Sequence, residues 1–225
     1  MPSLTRSSIQ TLIAGILGDP DYQEFTETNV QDAIQVAQEK FVKDTKCLKD
    51  VQTTTVVAGT YEYALPTDIL DISRVSHNGL KLERVSEYDM DVTRDTNWAD
   101  DTGTPTSYYV DLDPNNLKIR VYPIPQAADA AYSLIMEYIK IPPALSTAAS
   151  VPFDANTLLS PYTMAIVYAG SSDLMKTAPN QARLIQIPLM EKEYLKYVED
   201  CIEMFRAMEK RRPHTMSVGR NFNNL

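Results

Sequence analysis

Apolar residues change their spacing twice along this chain of 225 residues. They recur with a helical period over the first 50 residues, alternate in short runs from about 51 to 142, and resume a helical period from 158 to 210. This pattern excludes both a pure helical bundle and a pure β protein. We therefore predict an α+β fold, in which an antiparallel β unit is inserted between an N-terminal and a C-terminal helix pair.

The N-terminal segments predict a helical hairpin. Residues 3–18 place their apolar side chains on one face, and Gly18-Asp19-Pro20 ends that helix. Either Thr28 or Asn29 is expected to cap a second helix, which runs to about Lys46.

The C-terminal half again favours two helices. Residues 158–176 are strongly apolar and predict a helix that is buried on most sides, whereas residues 182–210 are amphipathic. Pro188 lies inside the second pattern, so that helix either kinks at the proline or begins near Leu189.

The predicted domains follow from these patterns. Residues 1–50 and 151–210 are assigned to one helical bundle, because neither helix pair alone has enough apolar surface for a core of its own. Residues 51–150 are assigned to the β insert. Residues 211–225 are polar and rich in asparagine, and they are assigned to a flexible, extended C-terminal arm.

Short strands joined by tight turns make up the predicted β unit. Asn78-Gly79 between two apolar runs indicates a two-residue hairpin, because both residues tolerate a positive φ. A second turn is predicted at residues 113–116. Alternation alone leaves open whether the strands form a sandwich or an open barrel.

Charge is distributed unevenly along the chain. The net charge is −9, but residues 206–225 carry five basic side chains against one glutamate, which is a net charge of +4. An acidic body lacks the clustered cations that bind phosphates, which argues against a DNA-binding module. No apolar run approaches the ~20 residues that cross a bilayer, and the first residues lack a signal-peptide layout. We expect a cytosolic product with no membrane partner.

Residue types that carry catalysis are few and poorly placed. The chain has seven glycines and contains neither a phosphate-binding glycine loop nor a nucleophile-elbow motif. His77 beside the predicted turn and His214 in the arm are expected to be exposed. Cys47 and Cys201 are expected to be buried free thiols, and the four residues form no zinc-type pattern. We predict no catalytic residue, no metal and no cofactor.

Two further clusters each have a functional and a structural interpretation. Aspartates concentrated in one segment suggest a calcium site or glycosidase acids, but the calcium-loop motif is missing, so a solvated acidic loop is favoured. These are Asp89, Asp91, Asp95, Asp100 and Asp101.

Tyrosines on the predicted strands suggest stacking on nucleic-acid bases, but few basic residues are interleaved, which favours packing in the sheet core or at a subunit interface. They are Tyr61, Tyr63, Tyr108, Tyr109, Tyr122, Tyr132 and Tyr138.

An ordered series of short motifs resembles a known family. Tyr63-Ala64-Leu65-Pro66-Thr67-Asp68 is followed by Gly103-Thr104-Pro105-Thr106-Ser107-Tyr108 and then by Tyr122-Pro123-Ile124-Pro125. With this order and spacing, residues 55–150 resemble the head-to-tail adaptors of tailed bacteriophages, a family that includes head-completion and tail tubular proteins. In that family the patterns Y-x-L-P-x-D, G-x-P-x-x-Y and Y-P-x-P recur in the same order.

The resemblance implies a structural protein rather than an enzyme. It implies a ring of about twelve copies, which docks its helical part below the portal protein and presents its β part to the tail tube or nozzle protein. Double-stranded DNA would pass through the ring without specific binding. The protein would be made in the host cytoplasm and lie at the head–tail junction of the virion. A tail-associated cell-wall hydrolase, a tail-tube or nozzle component and a DNA-packaging module are the alternatives.

Two sets of interface residues complete the prediction. Arms in this family often extend along the portal, so the basic C-terminal residues are expected to bind it: Arg206, Lys210, Arg211, Arg212, Arg220, Phe222 and Leu225. Aromatic residues of the β unit are expected to contact a neighbouring subunit or the tail: Tyr61, Tyr63, Trp98, Tyr108, Tyr109 and Tyr122.

Overall fold

The computed structural model describes residues 4–93, 98–111, 117–178 and 180–211. The chain divides into two compact units, which we call the helical unit (Met1–Cys47 and Leu145–Leu225) and the β unit (Leu48–Ala144). Both boundaries lie a few residues before the predicted positions at 50 and 150. Helices occupy both ends of the chain and strands its middle, which confirms the predicted α+β class.

Each helix of the chain begins where a polar side chain or a turn can satisfy its first backbone donors. The helices are α1 (Arg6–Leu17), α2 (Glu27–Thr45), α3 (Glu87–Thr93), α4 (Thr163–Thr177) and α5 (Gln181–Arg211), and all except α3 belong to the helical unit. Thr5 caps α1, which ends at Gly18 in the left-handed conformation. The predicted cap of α2 at Thr28 or Asn29 is wrong. Thr26 is the cap, and Asn29 returns its side chain to the Thr26 backbone in a capping box.

The last two helices begin at residues other than those predicted from the sequence. The segment predicted as helix from 158 begins with a 3-10 turn, Ser160–Tyr162, before α4. Helix α5 begins at Gln181 and contains Pro188, so the alternative start near Leu189 is wrong. The side chain of Asn180 accepts the backbone N–H of Arg183 at 2.9 Å, and this cap starts the helix upstream of the proline.

Helix α4 is the central element of the helical unit and contacts α1, α2 and α5. Gly170 permits this packing, because a Cβ at that position would lie only 3.1 Å from Cδ1 of Ile13. The fully buried Phe41 of α2 packs against Phe153 and Tyr162, at ring-centroid distances of 5.2 and 6.1 Å. These apolar contacts form one core from both ends of the chain.

The two cysteines are buried free thiols, as predicted. Cys47 follows α2 and Cys201 lies on α5, yet the fold brings their sulfur atoms within hydrogen-bonding distance of each other. The hydrogen bond that Cys201 donates to Cys47, together with burial, raises the pKa of Cys201.

Eight strands are described in the β unit. They are β1 (Lys49–Thr55), β2 (Glu62–Ala64), β3 (Ile69–His77), β4 (Leu80–Lys81), β5 (Glu83–Arg84), β6 (Ser107–Asp111), β7 (Lys118–Tyr122) and β8 (Ser133–Lys140). They form two four-stranded sheets, ordered β1-β8-β3-β4 and β2-β7-β6-β5. One pair departs from the antiparallel prediction: β5 and β6 run parallel, because the connection between them is a long crossover that contains α3.

Residues from both sheets share one apolar cluster, which corresponds to the sandwich alternative. Its fully or nearly buried members are Val56, Tyr63, Leu65, Val75, Leu82, Tyr108, Ile119, Val121, Leu134 and Met136. The hairpin predicted at Asn78-Gly79 is confirmed, with φ values of 50° and 73°. The turn predicted at 113–116 lies outside the described residues.

His77 is not the exposed turn residue that was predicted. Its side chain is 1% exposed, because the alternation of β3 places it on the same inward face as Val75. Its Nε2 lies 3.4 Å from the backbone oxygen of Asp129, and its ring meets the ring of Tyr132 edge-on. His214 lies outside the described residues.

Candidate functional site

Four of the six aromatic residues predicted at an interface line one pocket of about 250 Å³ in the β unit. We call it the aromatic pocket; the four residues are Tyr61, Trp98, Tyr109 and Tyr122. The Trp98 ring lies edge-on to the rings of Tyr109 and Tyr122, with centroids 5.9 and 5.8 Å apart. Such edge-to-face packing fixes the rings in one arrangement and leaves a concave surface beside them.

The alternation of the strands creates this pocket. Ile119 and Val121 of β7 point into the core between the sheets, so Arg120 and Tyr122 point to the opposite face. On β6, Tyr109 joins that face, while the preceding Tyr108 joins the core. The crossover between β5 and β6 then places Trp98 and Met90 of α3 over the same face of the sheet.

Arg120 is the charged centre of the pocket wall. Its Nη2 lies 2.8 Å from Glu62 and 2.9 Å from Asp111, and its Nη1 lies 3.9 Å from Glu87. Its guanidinium also lies 5.8 Å from the ring centroid of Tyr109. Three carboxylates and the flanking rings therefore hold the guanidinium in one position.

The pKa values of this cluster agree with tight ion pairing. Partial burial alone would lower the pKa of Arg120, but its contacts with Tyr109, Glu62 and Asp111 raise it above the ordinary value. A hydrogen bond from Lys118 and the charge of Arg120 lower the pKa of Glu62. Burial raises the pKa of Tyr109. Arg120, Glu62 and Tyr109 thus keep their usual ionisation states at neutral pH, and none of the three is poised for proton transfer.

Three of the aspartates predicted to form a solvated loop make side-chain hydrogen bonds within the β unit. Asp91 accepts a hydrogen bond from Nε1 of Trp98 at 2.8 Å, and Asp101 accepts one from the Tyr122 hydroxyl at 2.6 Å. Asp89 bonds to Ser86 at the start of α3, whereas Asp95 lies outside the described residues. Among the described residues, no three His, Cys, Asp or Glu side chains are grouped so that they could hold a metal ion.

The six aromatic residues differ in how much surface they offer to a partner. Tyr63 and Tyr108 are buried between the sheets and Tyr61 is 39% exposed. Trp98, Tyr109 and Tyr122 each expose less than a tenth of their surface, but that surface faces the pocket. An interface role stays a prediction for all six, and the structure places four of them around one pocket.

The predicted portal-binding residues are only partly within the described chain. Arg206 and Lys210 lie exposed on the last turns of α5, and Arg211 ends that helix. Arg212, Arg220, Phe222 and Leu225 lie outside the described residues. Portal binding by this set stays a prediction.

The sequence analysis missed an apolar surface on α5. Leu184 and Leu195 belong to the segment predicted as an amphipathic helix, but they are 59% and 55% exposed. Ile185 and Leu189 are also exposed, by 68% and 57%. We call these four residues the outer α5 face. The neighbouring pair Leu184-Ile185 was the available signal, because two consecutive apolar residues cannot both lie at the centre of one helix face.

A groove of about 470 Å³ between α2 and α4 was also missed; we call it the acidic groove. Its apolar lining and two of its carboxylates come from Phe25, Asp32, Ala33, Val36, Asp173 and Leu174. Asp19 shapes the loop at one end by accepting the backbone N–H groups of Gln23, Glu24 and Phe25 at 2.7–2.9 Å. The pattern of these residues gave no advance sign of a groove, because they come from segments more than 130 positions apart.

None of the described helices has both the length and the apolar character needed to span a membrane. A search of curated proteins found none that matches the chain. Residues 4–197 match the family model described as SU10 adaptor protein, and this match includes both units. The predicted relationship to phage head-to-tail adaptors is thereby confirmed. The chain belongs to the SU10 adaptor protein family, a family of phage head–tail adaptors, and is a structural component of the virion.

Proposed function

We propose that this protein is a non-enzymatic ring subunit at the head–tail junction of a tailed phage. About twelve copies form a ring below the portal, join the DNA-filled head to the tail tube or nozzle, and continue the DNA channel. The observation that carries this proposal is the family match over residues 4–197, which includes the helical unit and the β unit rather than a single motif.

The charge distribution supports passage of DNA without binding. The chain has a net charge of −9, while its last 20 residues are basic. A negative channel wall repels the phosphate backbone, so DNA can move through the ring without adhering to it. The basic C-terminal residues are then the part that binds an acidic surface on the portal.

Co-purification with the portal protein from the same genome tests the portal contact. We expect the full chain to form a ring-sized complex with equal numbers of portal and adaptor subunits, measured by native mass spectrometry. Truncation after Lys210 is expected to weaken this complex. Absence of any association of the full chain with the portal would reject the portal contact.

Two matched variants separate charge from apolar anchoring in the C-terminal segment. Arg212→Gln with Arg220→Gln removes two charges, and Phe222→Ala with Leu225→Ala removes two apolar side chains at constant charge. If charge steers the contact, the first variant lowers the association rate and its salt dependence, while the second chiefly raises the dissociation rate. Equal behaviour of both variants and the full chain would show that these residues do not bind the portal.

The aromatic pocket is proposed as a contact for the tail protein. Tyr61 is its most exposed ring, so Tyr61→Ala is expected to weaken capture of the tail protein while leaving portal binding intact. Tyr88→Ala is the matched control, because Tyr88 is 74% exposed and does not line the pocket. If the two variants capture the tail protein equally well, the pocket is not its contact site.

A further inference from the structure

Helix α5 has buried apolar residues on its inner side and exposed aliphatic residues on other sides. Its inner side packs within the helical unit through the buried Tyr194, Val198 and Cys201. The outer α5 face, defined above, lies on the other side of the same helix, and each of its four aliphatic side chains is more than half exposed. Ile185 and Leu189 lie about one turn apart on the outer side, and adjacent exposed aliphatic side chains of this kind mark a site of contact with another chain.

The acidic groove has the complementary features of a receptor for such a helix. Val36 on its wall is 56% exposed, whereas Phe25 and Leu174 are buried and form its apolar floor. At its rim, Asp32 places an exposed carboxylate, whereas Asp173 pairs with Lys176 at 3.1 Å. The groove therefore combines an apolar lining with negative charge.

The outer α5 face carries the opposite charge. Lys192 is exposed one turn from both Leu189 and Leu195, and the exposed Lys196 lies one turn beyond Lys192. A helix that lays Leu189 into the groove would bring these lysines near Asp32. Apolar contact at the centre and opposite charges at the rim are the arrangement expected of a specific interface.

The two surfaces face different directions on one subunit. Arg183 of α5 forms a paired salt bridge with Glu24 and covers the ring of Phe25 with its centroid 5.0 Å away, so this side of α5 is turned toward the groove. With 3.6 residues per turn, Ile185 and Leu189 project from the opposite side of the helix. A subunit therefore cannot fill its own groove with its own outer α5 face, but a second copy can.

We propose that the outer α5 face of one copy packs into the acidic groove of the next copy. The contact is heterologous: each subunit gives one surface and receives the other, which is the type of interface that closes into a ring. The number of copies that are joined in this way rests on the proposed ring function. The two contacting surfaces are observed on the single subunit.

Cysteine pairs and a short bis-maleimide test the contact in the full chain bound to the portal protein. Val36→Cys marks the groove and Leu189→Cys marks the outer α5 face. We expect a cross-linked dimer when the two single variants are mixed, no dimer from either alone, and a ladder of higher oligomers from the double variant. The pair Val36→Cys and Tyr88→Cys is the background control, and the unmodified chain controls for its own buried cysteines.

Charge reversal adds a second readout that misfolding does not mimic. Lys192→Glu on the α5 partner is expected to lower the dimer yield about fivefold, and Asp32→Lys on the groove partner is expected to restore it. Dimers from Leu189→Cys alone, cross-links to the portal instead of a second copy, or a yield no higher than the control pair would each overturn the proposal.

The outcomes separate this interface from the adaptor function. A ring-sized portal complex without the cross-linked ladder would overturn this contact and leave the proposed function standing. A ladder without portal association would support the contact between copies and reject the portal contact.

Discussion

Replacement of Arg120 by leucine is expected to lower the free energy of unfolding of the β unit by about 2–3 kcal/mol. The Arg120 side chain is 23% exposed, and its two closest carboxylate partners, Glu62 and Asp111, are 26% and 34% exposed. Exposed ion pairs contribute about 0.2–1 kcal/mol, whereas removing one partner from a buried pair costs about 3–5 kcal/mol. This cluster lies between those limits, and Arg120 also contacts the faces of Tyr61 and Tyr109.

The matched control is Arg74→Leu on β3. Arg74 pairs with Glu137 at 4.0 Å, and both side chains are nearly half exposed, so this replacement is expected to cost less than about 1 kcal/mol. Urea unfolding followed by tryptophan fluorescence measures both variants, because Trp98 is the only tryptophan and lies beside Arg120 in the aromatic pocket. The error of such comparisons is roughly 0.5 kcal/mol. If the costs of Arg120→Leu and Arg74→Leu differ by less than this amount, the reasoning is refuted.

The stability cost of Arg120→Leu is also expected to depend on pH. The folded-state pKa of Glu62 lies below its unfolded value, first through Lys118 and then through Arg120. Its ion pairs therefore stabilise the fold fully above the unfolded pKa of about 4.3, and this contribution is lost as the pH falls through the folded pKa. The stability difference between the original chain and Arg120→Leu should shrink below about pH 4. An unchanged difference at pH 3 would show that the cost arises from packing instead.

Three further predictions concern packing, turn geometry and thiol access. Phe41→Ala should destabilise the helical unit by about 3–5 kcal/mol in thermal unfolding followed by circular dichroism, because its ring is fully buried; a cost below about 1 kcal/mol would contradict this packing. Gly79→Val should cost about 1–2 kcal/mol in urea unfolding, because a β-branched residue is strained at φ 73°, whereas no measurable cost would refute the turn geometry. Cys47 and Cys201 should react with a thiol reagent only when the protein unfolds, and fast labelling of the native protein would show that they are accessible.

The sequence predicts those features that depend on neighbours along the chain. Helical and alternating periods gave the order of helices and strands, and Asn78-Gly79 gave a hairpin, because each depends on local backbone preferences. The capping box of α2 was missed by two residues, although Thr26 and Asn29 have the required spacing. Pro188 was overestimated as a helix breaker, because the cap at Asn180 starts the helix before it.

Features that depend on distant partners were not predictable from pattern. The parallel pairing of β5 with β6 follows from the crossover, and the burial of His77 follows from which face of β3 meets the second sheet. Four of the six aromatic residues named from the sequence line one pocket, but the division of the six between core and pocket depends on strand register. No pattern in the sequence indicated that Arg120 is the charged centre of the pocket wall, since its three carboxylate partners come from three different elements.

The outer α5 face also bears on how a ring of this protein would assemble. Burying a whole Leu or Ile side chain contributes about 1.5–3 kcal/mol, so complete burial of these four half-exposed residues would contribute about 4–7 kcal/mol. Loss of translational and rotational freedom costs at least about 4 kcal/mol, which offsets most of that gain. A single contact of this kind is therefore too weak to hold two free copies together at micromolar concentration. Copies held side by side on a portal would meet at a much higher effective concentration, and each would make two such contacts. We therefore expect the isolated chain to be a monomer and the ring to form only on its template.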